Sequence, residues 1–544
     1  MQLPKSPSKY KRIAKHKWLG LLILVMLLLF MGFYLESDIR KVNAASYYTV
    51  VVDCGSTGTR INVYEWMVGV SKGNLPLLLH SYPDNASIRK SSCEYHCMQT
   101  EPGLHNFVND SLGVRQALEP LIAWAEHLVP PEMHANTPVF VLATAGLRRL
   151  PREEADRVLA DVQTVVKDHS FLFSKSWIRV LTGREEAYYA WVALNYKMGS
   201  FVNYPTLGLV DLGGSSLQVV VEVNAATSGD HVHIMKSRLS SMEHRIMAYS
   251  LPAFGLNEAF DRTVLMLRNN LSKERTGISE LRHPCLLSTS VQNYTCHSCS
   301  GLASIYQKNR SQHQGSEPYS LRLVGEPDWE LCKELAIAAA MNLSDSKVSH
   351  LTVTKNCQAG SFSGIATDIL NLRAVARPIK FHALSGFFLV YNKLNLSPRI
   401  NLTMVWESGK QICSNLWSGL SSFSDNTNYT GQFCFRVAYM ASLIEYGLCL
   451  GDVEMVFGPG DISWTLGVAL IEGNFMSSNS ASHKTHVIVS TLKNVKVMSS
   501  PTVLFAVLLL LLLIVYCSQI KLPMPSRRAS TPGLSLPSYT HVRH

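Results

Sequence analysis

Two long apolar runs lie near the two ends of the chain. Residues 18–35 contain no charged side chain, and residues 502–517 form a second, slightly shorter run. About 20 apolar residues cross a bilayer, and about 17 is near the lower limit. The pattern therefore predicts a transmembrane helix in each run. For the first run, a cleaved signal peptide is the less favoured alternative, because the small residues Ala44, Ala45 and Ser46 lie some way beyond it.

Between these runs, β-branched segments end in glycine-rich turns at two places. Residues 47–64 contain a strand pattern, a polar turn and a second alternating strand, and residues 207–222 repeat this order. Alternation on both sides of such a turn predicts a β-hairpin. An aspartate ends the first strand of each hairpin, Asp53 in one and Asp211 in the other. The chain is therefore predicted to be an α/β protein with two similar hairpins.

The positive charge of the chain is confined to its tails. The formal net charge is +10. Residues 1–44 hold eight Lys or Arg against two acids, and residues 501–544 hold four against none, so the 456 residues between them sum to zero. This distribution disfavours a nucleic-acid partner. It also predicts cytosolic tails at 1–17 and 518–544, with the central part lumenal or extracellular.

Sequons and cysteines agree with a lumenal or extracellular central part. The chain has 12 cysteines, and ten of them lie outside the first turn and the second apolar run. An even set in an oxidising compartment favours disulfides. Zinc is the alternative, because four of the cysteines have ligand-like spacing: Cys285, Cys296, Cys299 and Cys332. Nine Asn-x-Ser/Thr sequons lie between the apolar runs, at Asn85, Asn109, Asn270, Asn293, Asn309, Asn342, Asn395, Asn401 and Asn428.

The two turns have the residue types that bind phosphate. Backbone N–H groups exposed by glycines and neighbouring hydroxyls can surround phosphate oxygens, and an arginine adds a forked cationic contact. Asp53 and Asp211 are placed to hold a divalent cation through water. The candidate phosphate-binding residues are Gly55, Ser56, Thr57, Gly58, Thr59 and Arg60 in the first turn, and Gly213, Gly214, Ser215 and Ser216 in the second.

Two further segments lie between the hairpins. Residues 139–149 predict a buried strand that leads through Thr144 into a helix start, where anions bind favourably. Residues 181–196 predict a helix with Glu185 and Glu186 in its first turn. Such acids usually compensate the helix dipole. Beside two phosphate-binding turns, one of them is a candidate general base.

These segments resemble the apyrase conserved regions of the GDA1/CD39 nucleoside phosphatase family. The resemblance rests on Asp53-Cys-Gly-Ser-Thr-Gly-Thr-Arg60, on the Ala-Thr-Ala-Gly turn at 143–146, on the Glu-Glu-Ala segment at 185–187, and on Asp211-Leu-Gly-Gly-Ser-Ser-Leu-Gln218. Residues 464–469 resemble a fifth region, and the match covers about residues 47–475. Within the family, the chain looks most like the plant apyrase 7 type.

The resemblance implies a two-lobed actin/Hsp70-like (ribonuclease H-like) fold between the two transmembrane helices. Residues 47–180 with about 450–475 would form lobe I, and residues 181–449 lobe II. Glu186 would deprotonate the attacking water, Ser216 and Gln218 would position it, and Thr144 would line the same pocket. Asp53 and Asp211 would hold Ca²⁺ or Mg²⁺ through its water shell. The expected activity is release of orthophosphate from nucleoside tri- or diphosphates, in the Golgi or at the plasma membrane.

The sequence departs from the family pattern at two positions and leaves two rival functions open. Ala187 follows the base where a glycine is usual, and Leu217 replaces the usual threonine before Gln218. Either change would be compatible with a catalytically weak nucleotide-binding protein, and a sugar kinase of the same superfold is the other rival. Candidates for stacking on the nucleobase, each more readily interpreted as core, are Phe387, Phe388 and Phe433.

Overall fold

The computed structural model describes most of the chain between the two apolar runs. The described residues are 46–67, 75–83, 99–201, 206–223, 244–271, 280–296, 319–342, 380–397, 399, 401–418 and 431–473. Both apolar runs and both predicted cytosolic tails lie outside these residues. Among the described residues, no helix has the length and apolar character needed to cross a bilayer.

The first sheet is built from the N-terminal third of the described chain. Its strands are β1 (Ser46–Cys54), β2 (Thr59–Met67), β3 (Leu77–Tyr82), β4 (Gln99–Thr100), β5 (Val139–Ala143) and β6 (Ile178–Val180). The strand order is β3-β2-β1-β5-β6, and β4 pairs with β2. Strand β1 is antiparallel to β2 and parallel to β5. The accompanying helices are α1 (Ser111–Leu128), α2 (Ala145–Arg148), α3 (Arg152–Lys167) and α4 (Gly183–Lys197).

The later part of the chain forms two further sheets. Their strands are β7 (Gly208–Leu212), β8 (Leu217–Glu222), β9 (Ile246–Leu251), β10 (Glu280–His283), β11 (Val291–Cys296), β12 (Tyr319–Gly325), β13 (Phe381–Ser385) and β14 (Met455–Phe457). One sheet has the order β14-β13-β7-β8-β9 and the other β10-β12-β11. The remaining α-helices are α5 (Leu256–Leu271), α6 (Trp329–Ala340), α7 (Gly386–Lys393), α8 (Leu402–Trp417), α9 (Phe433–Ser442) and α10 (Trp464–Val468).

Both predicted hairpins are present, with the same neighbours around them. Asp53 pairs with Arg60 across the first turn, and Asp211 pairs with Gln218 across the second. A parallel strand lies beside each aspartate-bearing strand, β5 beside β1 and β13 beside β7. The carboxyl ends of these parallel strands therefore meet at the edge that carries the aspartates. The prediction of a mixed α/β fold is confirmed.

Helix α4 is deeply buried over most of its length. Every residue from Ala187 to Asn195 is buried, because β8, β9 and α10 pack around it. A Cβ on Gly467 of α10 would lie 2.0 Å from the carbonyl oxygen of Tyr189, so only glycine permits this close helix contact. The first turn of α4, which carries both candidate acids, is therefore held by a rigid element.

The lobe boundaries stay a prediction. In the return segment, β14 joins the sheet of β13 and β7. Farther along that segment, a hydrogen bond of 2.7 Å joins the hydroxyls of Thr465 and Tyr64, which lies on β2 of the first sheet. The segment at 450–475 therefore contacts both sheets.

Six of the seven cysteines in the described part of the chain are in disulfides. Cys285 is bonded to Cys332, and Cys413 to Cys434. Because Cys285 and Cys332 bond each other, the zinc alternative is wrong. No cluster of three or more metal-binding side chains occurs within the described part of the chain. Cys296 and Cys449 are also in disulfides, Cys54 is a buried free thiol, and Cys93, Cys97, Cys299 and Cys357 lie outside the described residues.

Candidate active site

The two glycine-rich turns close in the same way and lie against each other. The amide of Gly55 donates to the carbonyl of Gly58 at 3.0 Å, and that of Gly213 donates to the carbonyl of Ser216 at 2.9 Å. A Cβ on Gly214 would lie 3.5 Å from Ser56 Oγ, which places the second turn in contact distance of the first. The two predicted phosphate-binding turns therefore border one space.

Asp53 is buried, Asp211 is half-buried, and each carboxylate has an unused oxygen. The Oδ1 atom of each is buried and has no hydrogen-bond partner in the structure. Burial raises the pKa of Asp53 to about 6, although Arg60, 3.9 Å away, opposes the rise; the charge of Asp211 adds to it. Burial also raises the pKa of Asp211. Two desolvated carboxylates near each other are costly, and their oxygens are the donors that hard divalent cations prefer. The pair therefore fits Ca²⁺ or Mg²⁺.

Ser385 is a site residue that the sequence did not reveal. It ends β13 beside Asp211, since Leu384 pairs with Asp211 in the parallel register. Its φ of +51° is unfavourable for a residue other than glycine. It occupies the position before α7 without capping that helix, and its hydroxyl instead donates a hydrogen bond to Asp211. This bond partly offsets the effect of burial on the pKa of Asp211.

The two adjacent glutamates of α4 have different surroundings. Glu185 forms a capping box with Thr182 and an ion pair of 2.7 Å with Arg179. Burial alone would raise the pKa of Glu185, but the hydrogen bonds of Thr182 and the charge of Arg179 outweigh it and lower the pKa. Glu185 is therefore a stable anion committed to the start of the helix.

Glu186 faces the aspartates instead. Burial raises its pKa to about 7, against the opposing effect of Arg148, and the charges of Asp53 and Asp211 add to the rise. Arg148 Nη2 donates to Glu186 Oε2 at 2.5 Å. A carboxylate with a pKa near neutrality exchanges protons readily at physiological pH, as a general base must. Of the two acids, only Glu186 has this environment.

The other predicted catalytic groups lie on the same strands and turns. Gln218 Nε2 donates to Ser216 Oγ at 2.7 Å, and both residues are at most 3% exposed. Thr144 is the residue before α2, and its amide donates to the carbonyl of Cys54, at the end of β1, at 3.1 Å. The register of β1 and β5 thus brings Thr144 to the first turn.

The comparison with known proteins identifies the family. The model of the GDA1/CD39 (nucleoside phosphatase) family matches residues 40–489. The chain belongs to this family. The predictions of the family and of a nucleotide phosphohydrolase are thereby confirmed.

Individual GDA1/CD39 relatives are similar over most of their length. The chain is 34% identical to "Probable apyrase 7" of Arabidopsis thaliana over 530 residues, 94% of this chain and 68% of that protein. It is 25% identical to "Ectonucleoside triphosphate diphosphohydrolase 7" of Xenopus tropicalis, over 79% of this chain and 73% of that protein. A crystal structure of nucleoside triphosphate hydrolases from Neospora caninum has a similar fold, with a TM-score of 0.54, 14% identity, and coverage of 82% of this chain and 96% of that one.

A cavity of about 370 Å³ opens beside the two turns of this GDA1/CD39 chain. Ser56 and Ser215 line it, together with residues that the sequence analysis did not assign to the site. Two of these are charged partners: Arg149 Nη1 lies 2.5 Å from Glu258 Oε1. Arg149 also donates to the Ser215 hydroxyl. Arg149 ends the predicted 139–149 segment, but no role was predicted for it, and its partner 109 residues later gives no sequence signal.

The three phenylalanines considered for base stacking are not part of this cavity. Phe387 and Phe433 are at most 1% exposed and belong to the hydrophobic core, which confirms the core interpretation for them. The ring of Phe388 packs against the backbone at Gly458 and Gly460, where a Cβ would come within 2.9 and 2.2 Å of it. The side chains that bind the nucleobase therefore stay unassigned.

Proposed function

We propose that the chain is a membrane-anchored apyrase that removes the terminal phosphate of nucleoside tri- or diphosphates. The observation that carries this proposal is the position of Glu186. Its carboxylate is largely buried, has a pKa raised to about 7, and is affected by the charges of both Asp53 and Asp211. Each aspartate is one residue before the end of the strand that leads into a phosphate-binding turn. Relatives named as triphosphate diphosphohydrolases and as a nucleoside-diphosphatase support the substrate class.

The chemistry is direct attack of water on the terminal phosphorus. Ionised Glu186 accepts one proton of the water while the water oxygen forms a bond to phosphorus, and the bridging P–O bond breaks toward the nucleotide that leaves. Ser216 and Gln218, hydrogen-bonded to each other, orient the water. The reaction needs little covalent chemistry from the protein, which mainly positions the reactants and stabilises charge.

The two turns and the aspartates have separate tasks. Backbone amides and hydroxyls of the turns hold the phosphate oxygens, and Arg60 adds positive charge. Asp53 and Asp211 would hold Ca²⁺ or Mg²⁺ through its water shell, consistent with their buried and unpartnered Oδ1 atoms. When bound, the cation neutralises charge on the phosphates. It would also lower the repulsion that raises the pKa of Asp53.

Location in the Golgi or at the plasma membrane is part of the proposal. It is supported by the two apolar runs and by the disulfides. The five sequon asparagines whose side chains the structure describes are also exposed, as glycosylation requires: Asn109, Asn293, Asn342, Asn395 and Asn401.

Neither rival function is favoured by a structural observation. The Ala187 and Leu217 side chains, which depart from the family pattern, are both 0% exposed and belong to the core. They therefore take no polar group away from the cleft. Among the described residues, no contact shows whether the group that attacks phosphorus is water, as in a hydrolase, or a sugar hydroxyl, as in a sugar kinase.

The test is phosphate release by the purified full-length chain. We expect orthophosphate from at least one of ATP, ADP, UTP, UDP, GTP and GDP with Ca²⁺ or Mg²⁺, and none with EDTA. A chain that binds these nucleotides without releasing phosphate would be the binding protein. Labelled phosphate that appears on an added sugar would identify the kinase.

A further inference from the structure

Arg149 joins two parts of the cleft that are distant in sequence. It directly follows α2, which begins at the end of β5 in the first sheet. Its guanidinium donates to the hydroxyl of Ser215 in the second turn and pairs with Glu258 on α5. All three residues line the cavity beside the turns.

The partners of Arg149 are held rigidly. The start of α5 supports the second turn, because the amides of Leu256 and Asn257 donate to the carbonyls of Gly213 and Gly214 at 3.0 and 2.8 Å. The Glu258 side chain is 11% exposed, whereas that of Arg149 is 42% exposed. The arginine is therefore the accessible member of the pair.

The acidic side chains around this pair would repel an anion unless Arg149 binds it. Glu258 and Asp261 both line the cavity, and a polyphosphate beside them would meet like charge. A guanidinium presents several N–H donors in a planar fork that matches phosphate oxygens bidentately, and such charge-assisted bonds are stronger than those to a hydroxyl. Phosphate is therefore a better partner for this fork than Ser215.

We propose that Arg149 is a substrate-binding residue for the phosphate chain, and that Glu258 competes with the substrate for it. The phosphates take over the donor that now contacts Ser215, and the ion pair with Glu258 weakens binding by holding the arginine in place. This proposal rests on the phosphate site of the proposed function. It adds a residue pair that controls affinity for the phosphates, independent of the nucleobase.

The two partners are predicted to have opposite effects on affinity. Arg149→Ala should raise KM for the preferred nucleotide about tenfold, since it removes a charge-assisted contact, and Arg149→Lys should recover part of the loss. Glu258→Gln should lower KM about threefold, because the arginine is released to the phosphates. If the pair only stabilised the fold, both substitutions would raise KM and lower the melting temperature together.

Equilibrium binding separates this proposal from the proposed function. Calorimetry with inorganic tripolyphosphate, run on the full-length chain, should show the same opposite shifts in Kd whether or not the chain turns over nucleotides. Unchanged or weaker binding in Glu258→Gln, or unchanged binding in Arg149→Ala, would overturn the role of the pair. Tripolyphosphate that does not bind the wild type would overturn the phosphate site as well.

A second ion pair on the same chain supplies the control. Arg115 and Glu119 both lie on helix α1 and pair at 3.1 Å, and Arg115 also pairs at 2.7 Å with Asp168, the residue after α3. None of the three lines the cavity. Arg115→Ala and Glu119→Gln make the same changes of charge as the test variants. We expect both to leave KM and the Kd for tripolyphosphate within twofold of the wild type.

Discussion

Arg148 Nη2 and Glu186 Oε2 are 2.5 Å apart. The proposed general base, Glu186, is therefore paired with the arginine that ends helix α2. The side chains are 25% and 13% exposed, and the pair is therefore poorly screened by solvent. Burial and the two aspartates favour the protonated form of Glu186, while Arg148 favours the anion. The arginine thus keeps part of the glutamate population ionised at neutral pH.

The first prediction concerns the pH dependence of hydrolysis. Since the base must be ionised, kcat/KM should fall as the pH drops below about 7, the pKa of Glu186. Arg148 lowers this pKa, so Arg148→Ala should raise it and move the acid limb of the profile to higher pH. A shift of one unit would reduce kcat/KM about tenfold at low pH. The measurement is kcat/KM between pH 5 and 9.

Arg115→Ala is the matched control for this profile, because it removes an ion-paired arginine that does not line the cavity. Its acid limb should coincide with that of the wild type. If Arg148→Ala moved the acid limb of the profile to lower pH, that limb would report the ionisation of a group other than Glu186.

The second prediction concerns cation affinity. Asp53→Asn and Asp211→Asn each remove one of the two negative charges that would hold the cation. Each should weaken the binding of Ca²⁺ about tenfold or more, measured by calorimetry without nucleotide. Asp168→Asn, at an exposed carboxylate paired with Arg115, is the control and should leave the affinity unchanged. Cation binding that survives both variants would place the ion elsewhere.

The third prediction compares one substitution at two glycines. A Cβ on Gly214 would lie 3.0 Å or more from its neighbours and would stand between the two turns, so Gly214→Ala should fold and bind nucleotide more weakly. A Cβ on Gly255 would lie 2.3 Å from the backbone of Ser215. Gly255→Ala should therefore lower the free energy of unfolding by about 3 kcal/mol. Melting temperatures and KM values distinguish the two effects, and equal stability losses would contradict the packing described.

The sequence predicted the parts of the site that depend on local pattern. Strand alternation and turn glycines fix the two hairpins, and family motifs point to Glu186, Ser216 and Gln218. From the helix pattern alone, either Glu185 or Glu186 could be the base, and only the family resemblance pointed to Glu186. The capping box that commits Glu185 to the helix start was found in the structure.

The remaining site residues depend on contacts that local pattern does not contain. Ser385 reaches Asp211 only because β13 is parallel to β7, and its positive φ is imposed by the surrounding fold. Glu258 meets Arg149 because α5 supports the second turn. Such pairs between distant segments become visible only when the strand order is known.

The most direct test of the proposed mechanism compares glutamine substitutions at two adjacent glutamates, Glu185 and Glu186. Glu186→Gln removes the proposed base without changing its size, and kcat should fall at least about a hundredfold while nucleotide binding persists. Glu185→Gln removes the ion pair with Arg179 but keeps an oxygen that can accept from Thr182, so the melting temperature should fall only slightly and most of kcat should remain. Near wild-type kcat in Glu186→Gln, or an equal loss of kcat in both variants, would contradict the assignment of Glu186 as the base.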